Sequence, residues 1–352
     1  MSIGRAEVRA VEVQAAEGQA MEVQPADEPR VITVTLSPAW DITITVSHLD
    51  LGRSHRIDPA VGRLGGKGIN VARVLADTGI GAYVQGPAAG EYRPEADSSA
   101  GVEASAALGP VWDLTPTPSR LRRSYAVVEG SGRATVLNET AAKHPPEVWD
   151  ALSESISRRL SEPAVTVLVL SGSTPADCPE DFHTKLVRAA HAAGVSVIVD
   201  TSGPGLLRAA RAGADWVKPN AEELNELFEH KDLIASAGEL VSAGARNVLV
   251  SRGEDGMVLV DRTGQRGIAR LDRVLQGNPT GAGDACVAAL ARCLAAKSQG
   301  DEAARLPDED VRAILTEAVA LSASAVLMPQ AGQIHPDWQK LRHDVVITRE
   351  QT

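Results

Sequence analysis

The sequence predicts an α/β fold in three layers: a mostly parallel central sheet between two sets of helices, with a small β-sheet laid over one end as a lid. Three observations predict it. From Val165 onward, all-apolar strands alternate with amphipathic helices, the signature of a parallel sheet covered on both faces. Two alternating stretches in the first half read as strands of a smaller sheet. The 352 residues, 43% of them hydrophobic, suffice to bury one large core.

Residues 1–30 are rich in Glu, Ala, Gln and Val, with a faint echo between EVRAVEVQ and AMEVQPA. They lack the periodicity of a packed element and read as a flexible extension, so the folded domain is predicted over residues 31–345. VITVTL opens it as a strand, and DITITV, after the Ser37-Pro38 turn, alternates as a second. GINVARVLADTG is a helix opened by glycines and stopped at Gly79. Gly86 to Pro118 carries so much Gly, Pro, Ala and Ser that no element is assigned there. RSYAVVE and ATVLNET, separated by Gly130-Ser131-Gly132, form a predicted hairpin. With the early alternating strand it makes the lid, over about residues 40–60 and 120–140.

The second half is more regular. VTVLVLSG, VSVIVD, DWVKPN, NVLVSRG and GMVLVD are predicted strands, and DFHTKLVRAAHAAG, GLLRAARAG and AEELNELFE the helices among them. In such sheets ligands bind beyond the C-terminal strand ends, where the loops SGSTP, DTSG, KPN and SRG fall.

Composition excludes several functions. A net charge of -11 and a pI near 5.3 oppose a general polyanion-binding surface, and 3% aromatic content leaves few platforms for stacking bases, so no nucleic-acid partner is expected. Cys178, Cys286 and Cys293 form no CxxC, which fits a reducing compartment and buried thiols. His183, His191 and His144 show no metal-ligand spacing. No apolar run approaches the length of a membrane span and no signal pattern opens the chain, so a cytoplasmic location is expected.

The sharpest motif is Asn278-Pro279-Thr280-Gly281-Ala282-Gly283-Asp284, followed by the helical ACVAALARCLAA. Small residues let backbone amides approach an anion, and a helix start adds its positive dipole end, so Gly281, Ala282 and Gly283 read as a phosphate cradle. A carboxylate inside such a cradle competes with the phosphate unless it serves as a general base for an attacking hydroxyl, the role assigned to Asp284. The competing structural reading is an acid in the first turn of a helix. A dinucleotide fingerprint fails because Asp284, Ala285 and Cys286 follow where the third glycine is required. Gly62 to Gly68 fails as a Walker loop, its first glycine one place late and Gly68 standing where Ser or Thr is needed.

Gly65-Gly66-Lys67-Gly68-Ile69-Asn70-Val71-Ala72-Arg73 and NPTGAGDA, about 210 residues apart, resemble the two signature regions of the PfkB, or ribokinase-like, carbohydrate kinases. SGSTP, VDTSG, KPNAEEL and VLVSRGEDG resemble further landmarks in family order, so the likeness covers Val31 to Gln333. GGKGIN points to the branch of 1-phosphofructokinases and tagatose-6-phosphate kinases. The resemblance implies a ribokinase-like fold, Asp284 as base and the Gly281–Gly283 amides as anion hole. It implies that Asn220 and Glu223, as NxxE, help place Mg²⁺ through water, although a helix cap with a first-turn acid explains the same pair. Asp41, Gly66, Lys67 and Asn70 match the sugar-facing residues, and Ser251, Gly253, Gly256 and Asn278 the ATP side. LRRSY resembles the TRxN segment of the branch and makes Arg122 the candidate for the acceptor's phosphate, with Arg123 one step of register away.

The implied reaction is ATP-dependent phosphorylation of D-fructose 1-phosphate, with tagatose 6-phosphate and fructose 6-phosphate as alternative acceptors and a homodimer formed through the lids. Three departures accompany it. In Gly86 to Ala107 proline and a scarcity of large apolar residues argue against the helix usual in relatives, Trp40 stands where smaller residues precede the sugar-binding Asp and would reshape the pocket, and Met328 to Gly332 only loosely matches the usual ending. The first of these motivates a reading from another class, a non-catalytic sugar-phosphate sensor on the same fold.

Overall fold

A run of apolar residues in a strand has both faces to bury, because side chains alternate across it. The computed structural model, which describes residues 30–89, 109–228, 232–297 and 306–348, meets that demand with two cores on the two faces of one sheet. Val167 and Val169 enter one core while Leu168 and Leu170 of the same strand enter the other. All of the extension read over residues 1–30 except Arg30, and all of the stretch 86–107 beyond residue 89, lie outside the described residues.

Among the described residues ten strands pair into the central sheet. Val31–Val34 lies parallel between Ala82–Gln85 and Val167–Ser171, and Ser196–Asp200, Trp216–Val217 and Asn247–Ser251 follow outward, all parallel. Beyond them Met257–Asp261, Gly264–Leu271 and Val345–Thr348 are antiparallel, because a tight turn at Gly253–Asp255 leaves no room for a crossover. The strand read in DWVKPN is cut to Trp216–Val217, since Pro219 has no N–H to continue the ladder. In the stretch left unassigned, Val111–Trp112 extends the central sheet, and Pro87–Ala89 pairs with Thr115–Thr117.

The helices Lys67–Asp77, Ala282–Ala295 and Asp308–Val326 contribute to one core. Pro146–Leu160, Phe182–Ala192, Pro204–Arg211 and Leu233–Ala243 contribute to the other. Ala282–Ala295 is buried nearly all round, which its alanines permit by letting neighbouring helices come close. Its one buried guanidinium, Arg292, donates to Glu317 Oε2 at 3.1 Å, and Arg342 Nε lies 3.1 Å from Glu317 Oε1.

The lid is a second sheet in the order Val61–Gly65, Ala39–Val46, Arg122–Glu129, Ala134–Asn138. Arg122–Glu129 and Ala134–Asn138 form the hairpin, and residues 47–60 hold no strand. Among the described residues no helix is long and apolar enough to cross a membrane.

Glu317→Ala strips two guanidiniums of their shared carboxylate inside the core. Urea unfolding of this variant should show a loss of about 3–5 kcal/mol, the usual cost of an unpaired buried charge; a loss under about 1 kcal/mol would contradict the ion pair.

Candidate active site

The loops at the carboxyl ends of the parallel strands open into a cavity of about 1370 Å³, roofed by the lid. Two helices begin at its floor. Lys67–Asp77 is capped by Gly66 at φ 121°, and Ala282–Ala295 by Gly281 at φ 91°. A Cβ on Gly281 would stand 2.7 Å from Ala331 Cα, so only glycine lets this backbone line the cavity beneath the Gln330–Gly332 segment. The start of the longer helix, free of bulky side chains, is a seat for an anion.

Asp284 lies in the first turn of that helix and is 6% exposed. Asn70 Nδ2 donates to Asp284 Oδ2 at 2.8 Å and so ties the two helices together. Asn70 Oδ1 is buried with no hydrogen-bond partner among the described residues, an acceptor available to a hydroxyl. Burial pushes the Asp284 carboxyl up to about 7, against the attraction of Lys67 and with the repulsion of Asp200. A carboxyl poised near neutrality suits proton transfer to and from an alcohol.

Behind it sits a charged cluster. Asp200 Oδ2 is 3.4 Å from Lys67 Nζ and accepts from Ser171 Oγ at 2.9 Å, and Asp200 Oδ1 is 3.2 Å from Lys218 Nζ. Burial alone would raise the Asp200 carboxyl, but the two ammoniums and the hydroxyl outweigh it and hold it below the ordinary carboxylate range. Asn220 and Glu223 form a reciprocal cap on the helix Ala221–Phe228. Asn220 N donates to Glu223 Oε2 at 2.9 Å and Glu223 N to Asn220 Oδ1 at 2.7 Å. Glu223 Oε1 is turned towards Lys67 Nζ, 4.0 Å away. Both residues line the cavity, so the capping role and a water-mediated hold on a cation are compatible.

Strand register sorts the lid. Asp41 pairs with Arg63 on one side and Ser124 on the other, and Ser124 with Asn138, so these four side chains form one row on the cavity face. Burial raises the Asp41 carboxyl, and Arg63, Arg122 and Arg73 pull it back in part. Gly65, adjoining the motif glycine Gly66, makes room for it: a Cβ there would overlap Asp41 Oδ2. Arg122 shares the cavity face, and its Nε donates to Ser37 Oγ at 2.9 Å, whereas Arg123 points to the other face with Trp40. The expectation that Trp40 reshapes the pocket is therefore corrected, because alternation turns its ring away and across Gly62.

Ser251, Gly253 and Gly256 line the opposite end of the cavity with Met257, Val274, Leu275, Val319, Ala323 and Val326, an apolar slot suited to a nucleobase. Asn278 also lines it, but its amide donates to Pro329 O at 3.0 Å and accepts from Thr280 N at 3.0 Å, so it braces the cradle. Sequence reasoning missed Asp200, Lys218 and Arg63 as parts of this site. For the first two a signal was present, a charged residue directly after an all-apolar strand segment.

Known proteins resemble this chain in sequence and in fold. The pfkB family carbohydrate kinase profile matches residues 125–337. The chain is 35% identical over 326 residues to a 1-phosphofructokinase of Xanthomonas campestris pv. campestris, covering 85% of this chain and 98% of that relative. Escherichia coli phosphofructokinase-2 in complex with substrates and products superposes with a TM-score of 0.73 at 28% identity, covering 89% of this chain and 98% of the other. Ribokinase from Thermotoga maritima, at 18% identity and a TM-score of 0.66 across 89% of this chain and 99% of that one, shares the fold alone.

Asp284→Asn tests the burial of the carboxyl. The stability of its neutral form is fully present below about pH 4, the ordinary value, and is lost as pH rises through about 7. The melting temperature of the variant should therefore gain on wild type between pH 4 and 7 and level off above; a difference independent of pH would refute it.

Proposed function

Because the chain belongs to the pfkB family of carbohydrate kinases, we propose that it transfers the terminal phosphoryl group of Mg·ATP to D-fructose 1-phosphate, giving D-fructose 1,6-bisphosphate and ADP. The observation that carries this reading is Asp284, held by Asn70 at the mouth of a glycine-lined helix start within one cavity that also contains Asp41 and Arg122. Asp284 takes the proton of the attacking hydroxyl, and the amides of Gly281, Ala282 and Gly283 meet the charge that develops on the transferred group. Asp41 and Asn70 hold acceptor hydroxyls. Arg122 offers a planar fork to the phosphate already on the sugar. Ser251, Gly253 and Gly256 line the nucleotide end.

Among the described residues no group of three or more His, Cys, Asp or Glu could hold a metal ion. A hydrated Mg²⁺ fits Asn220 and Glu223 instead, where Glu223 Oε1 lies outside the cap's hydrogen bonds. Bound with the nucleotide, such an ion neutralises phosphate charge. The choice of D-fructose 1-phosphate is supported by the 35% identical relative named 1-phosphofructokinase. We read the enzyme as cytoplasmic and as a homodimer through its lids, in keeping with the open four-stranded sheet.

A coupled assay over D-fructose 1-phosphate, tagatose 6-phosphate and fructose 6-phosphate should give the highest kcat/KM with the first; preference for either 6-phosphate would transfer the assignment to it. Asp284→Ala should lose about 100-fold to 10,000-fold in kcat, and rates equal to wild type would favour the sensor. With Asp284 ionised only above its raised value, kcat/KM should climb about tenfold per pH unit below pH 7 and flatten above it.

A further inference from the structure

The double-glycine motif puts Lys67 among the acceptor-binding residues, and its ammonium is held on the floor of the cavity. Nζ is 3.4 Å from Asp200 Oδ2 and 4.0 Å from Glu223 Oε1, and its charge is felt at Asp284. Those carboxylates belong to the strand ends and helix starts of the floor, whereas Asp41, Ser124 and Asn138 hang from the lid.

Asp200 has a second cation. Lys218 Nζ lies 3.2 Å from its other oxygen, and the side chains of this pair are 4% and 1% exposed, a balanced couple closed off from solvent. The Lys67 side chain is 41% exposed and lines the cavity. Its backbone is fixed as the first residue of a helix, so the freedom that remains is in the side chain. A point charge with three donors, tethered beside the base and facing open space, is suited to an incoming group rich in negative oxygens.

We propose that Lys67 is a catalytic residue of the transfer step, its ammonium meeting the phosphoryl group as it passes from nucleotide to acceptor, and that the Asp200–Lys218 pair is the positioning element that aims it. This rests on the kinase reading above. The transferred group spreads charge over three equatorial oxygens; the Gly281–Gly283 amides meet it from one side and Lys67 from another. Lys218 keeps Asp200 ionised, and Asp200, steadied by Ser171, keeps Lys67 from collapsing onto Asp284.

The two roles open to Lys67 separate kinetically. A cation bound to sugar hydroxyls acts in the ground state and the transition state alike and shows in KM. A cation on the moving phosphoryl group acts mainly in the transition state and shows in kcat. Lys67→Met keeps the length, removes the charge and leaves Asp200 its buried partner. Its kcat should fall about 100-fold or more, with acceptor KM and calorimetric Kd within about threefold of wild type. A tenfold or larger rise in both, with kcat retained, would return Lys67 to the sugar ligands.

Asp200→Asn, alone and combined with Lys67→Met, tests the aim. The double variant should be no slower than Lys67→Met, because Asp200 acts through Lys67; multiplied losses would overturn the positioning role. Wild-type turnover keeps the two levels apart: an inactive wild type sinks the kinase reading and this inference with it, whereas an active wild type with the KM pattern sinks this inference alone.

Discussion

A carboxyl group buried at the start of a helix is stable only if something nearby holds it, and here the hydrogen bond from Asn70 to Asp284 does so while joining two helices. The remaining architecture keeps that joint in place. Ala282–Ala295 is wedged between the sheet and Asp308–Val326 by small side chains, and Arg292 pins its far end to Glu317. Interiors packed to crystal density transmit displacement, so the first turn of the helix cannot drift while its body is fixed.

Two carboxylates on the same floor are driven in opposite directions by their neighbours. Asp284, whose burial the Asn70 amide and the Lys67 and Lys218 ammoniums offset only in part, is raised towards neutrality, whereas Asp200, between two lysines and a serine, stays ionised. Burial is common to both, so the partners decide. One group is thereby free to exchange a proton and the other to act as a fixed charge.

Much of this was legible in the sequence because it depends on local pattern. The apolar strands from Val165 onward announce a sheet buried on both faces, and the spacing of GGKGIN and NPTGAGD marks two helix starts that meet in space. What was not legible depends on register and on partners remote in sequence. Val61–Gly65 is too short and glycine-rich to read as a strand until it pairs with Ala39–Val46. Arg122 and Arg123 are equivalent on paper, and only the pairing of the lid strands separates them. The link of Lys218 to Asp200 spans two strand ends that neither segment encodes alone. The NxxE pair was open to two readings, and the capping one is visible in its hydrogen bonds.

The lid hairpin ends on Gly132, at φ 84°, where a Cβ would stand 2.8 Å from the carbonyl oxygen of Gly277, on the loop leading into the cradle. Gly277 is itself pressed against Val326, where a Cβ would overlap the carbonyl oxygen. At this point the roof meets the loop before the cradle main chain to main chain, Gly132 against Gly277, with no side chain of either residue between them. Side chains at either position would hold the two loops apart, so the closeness of roof and floor here depends on two residues that carry none.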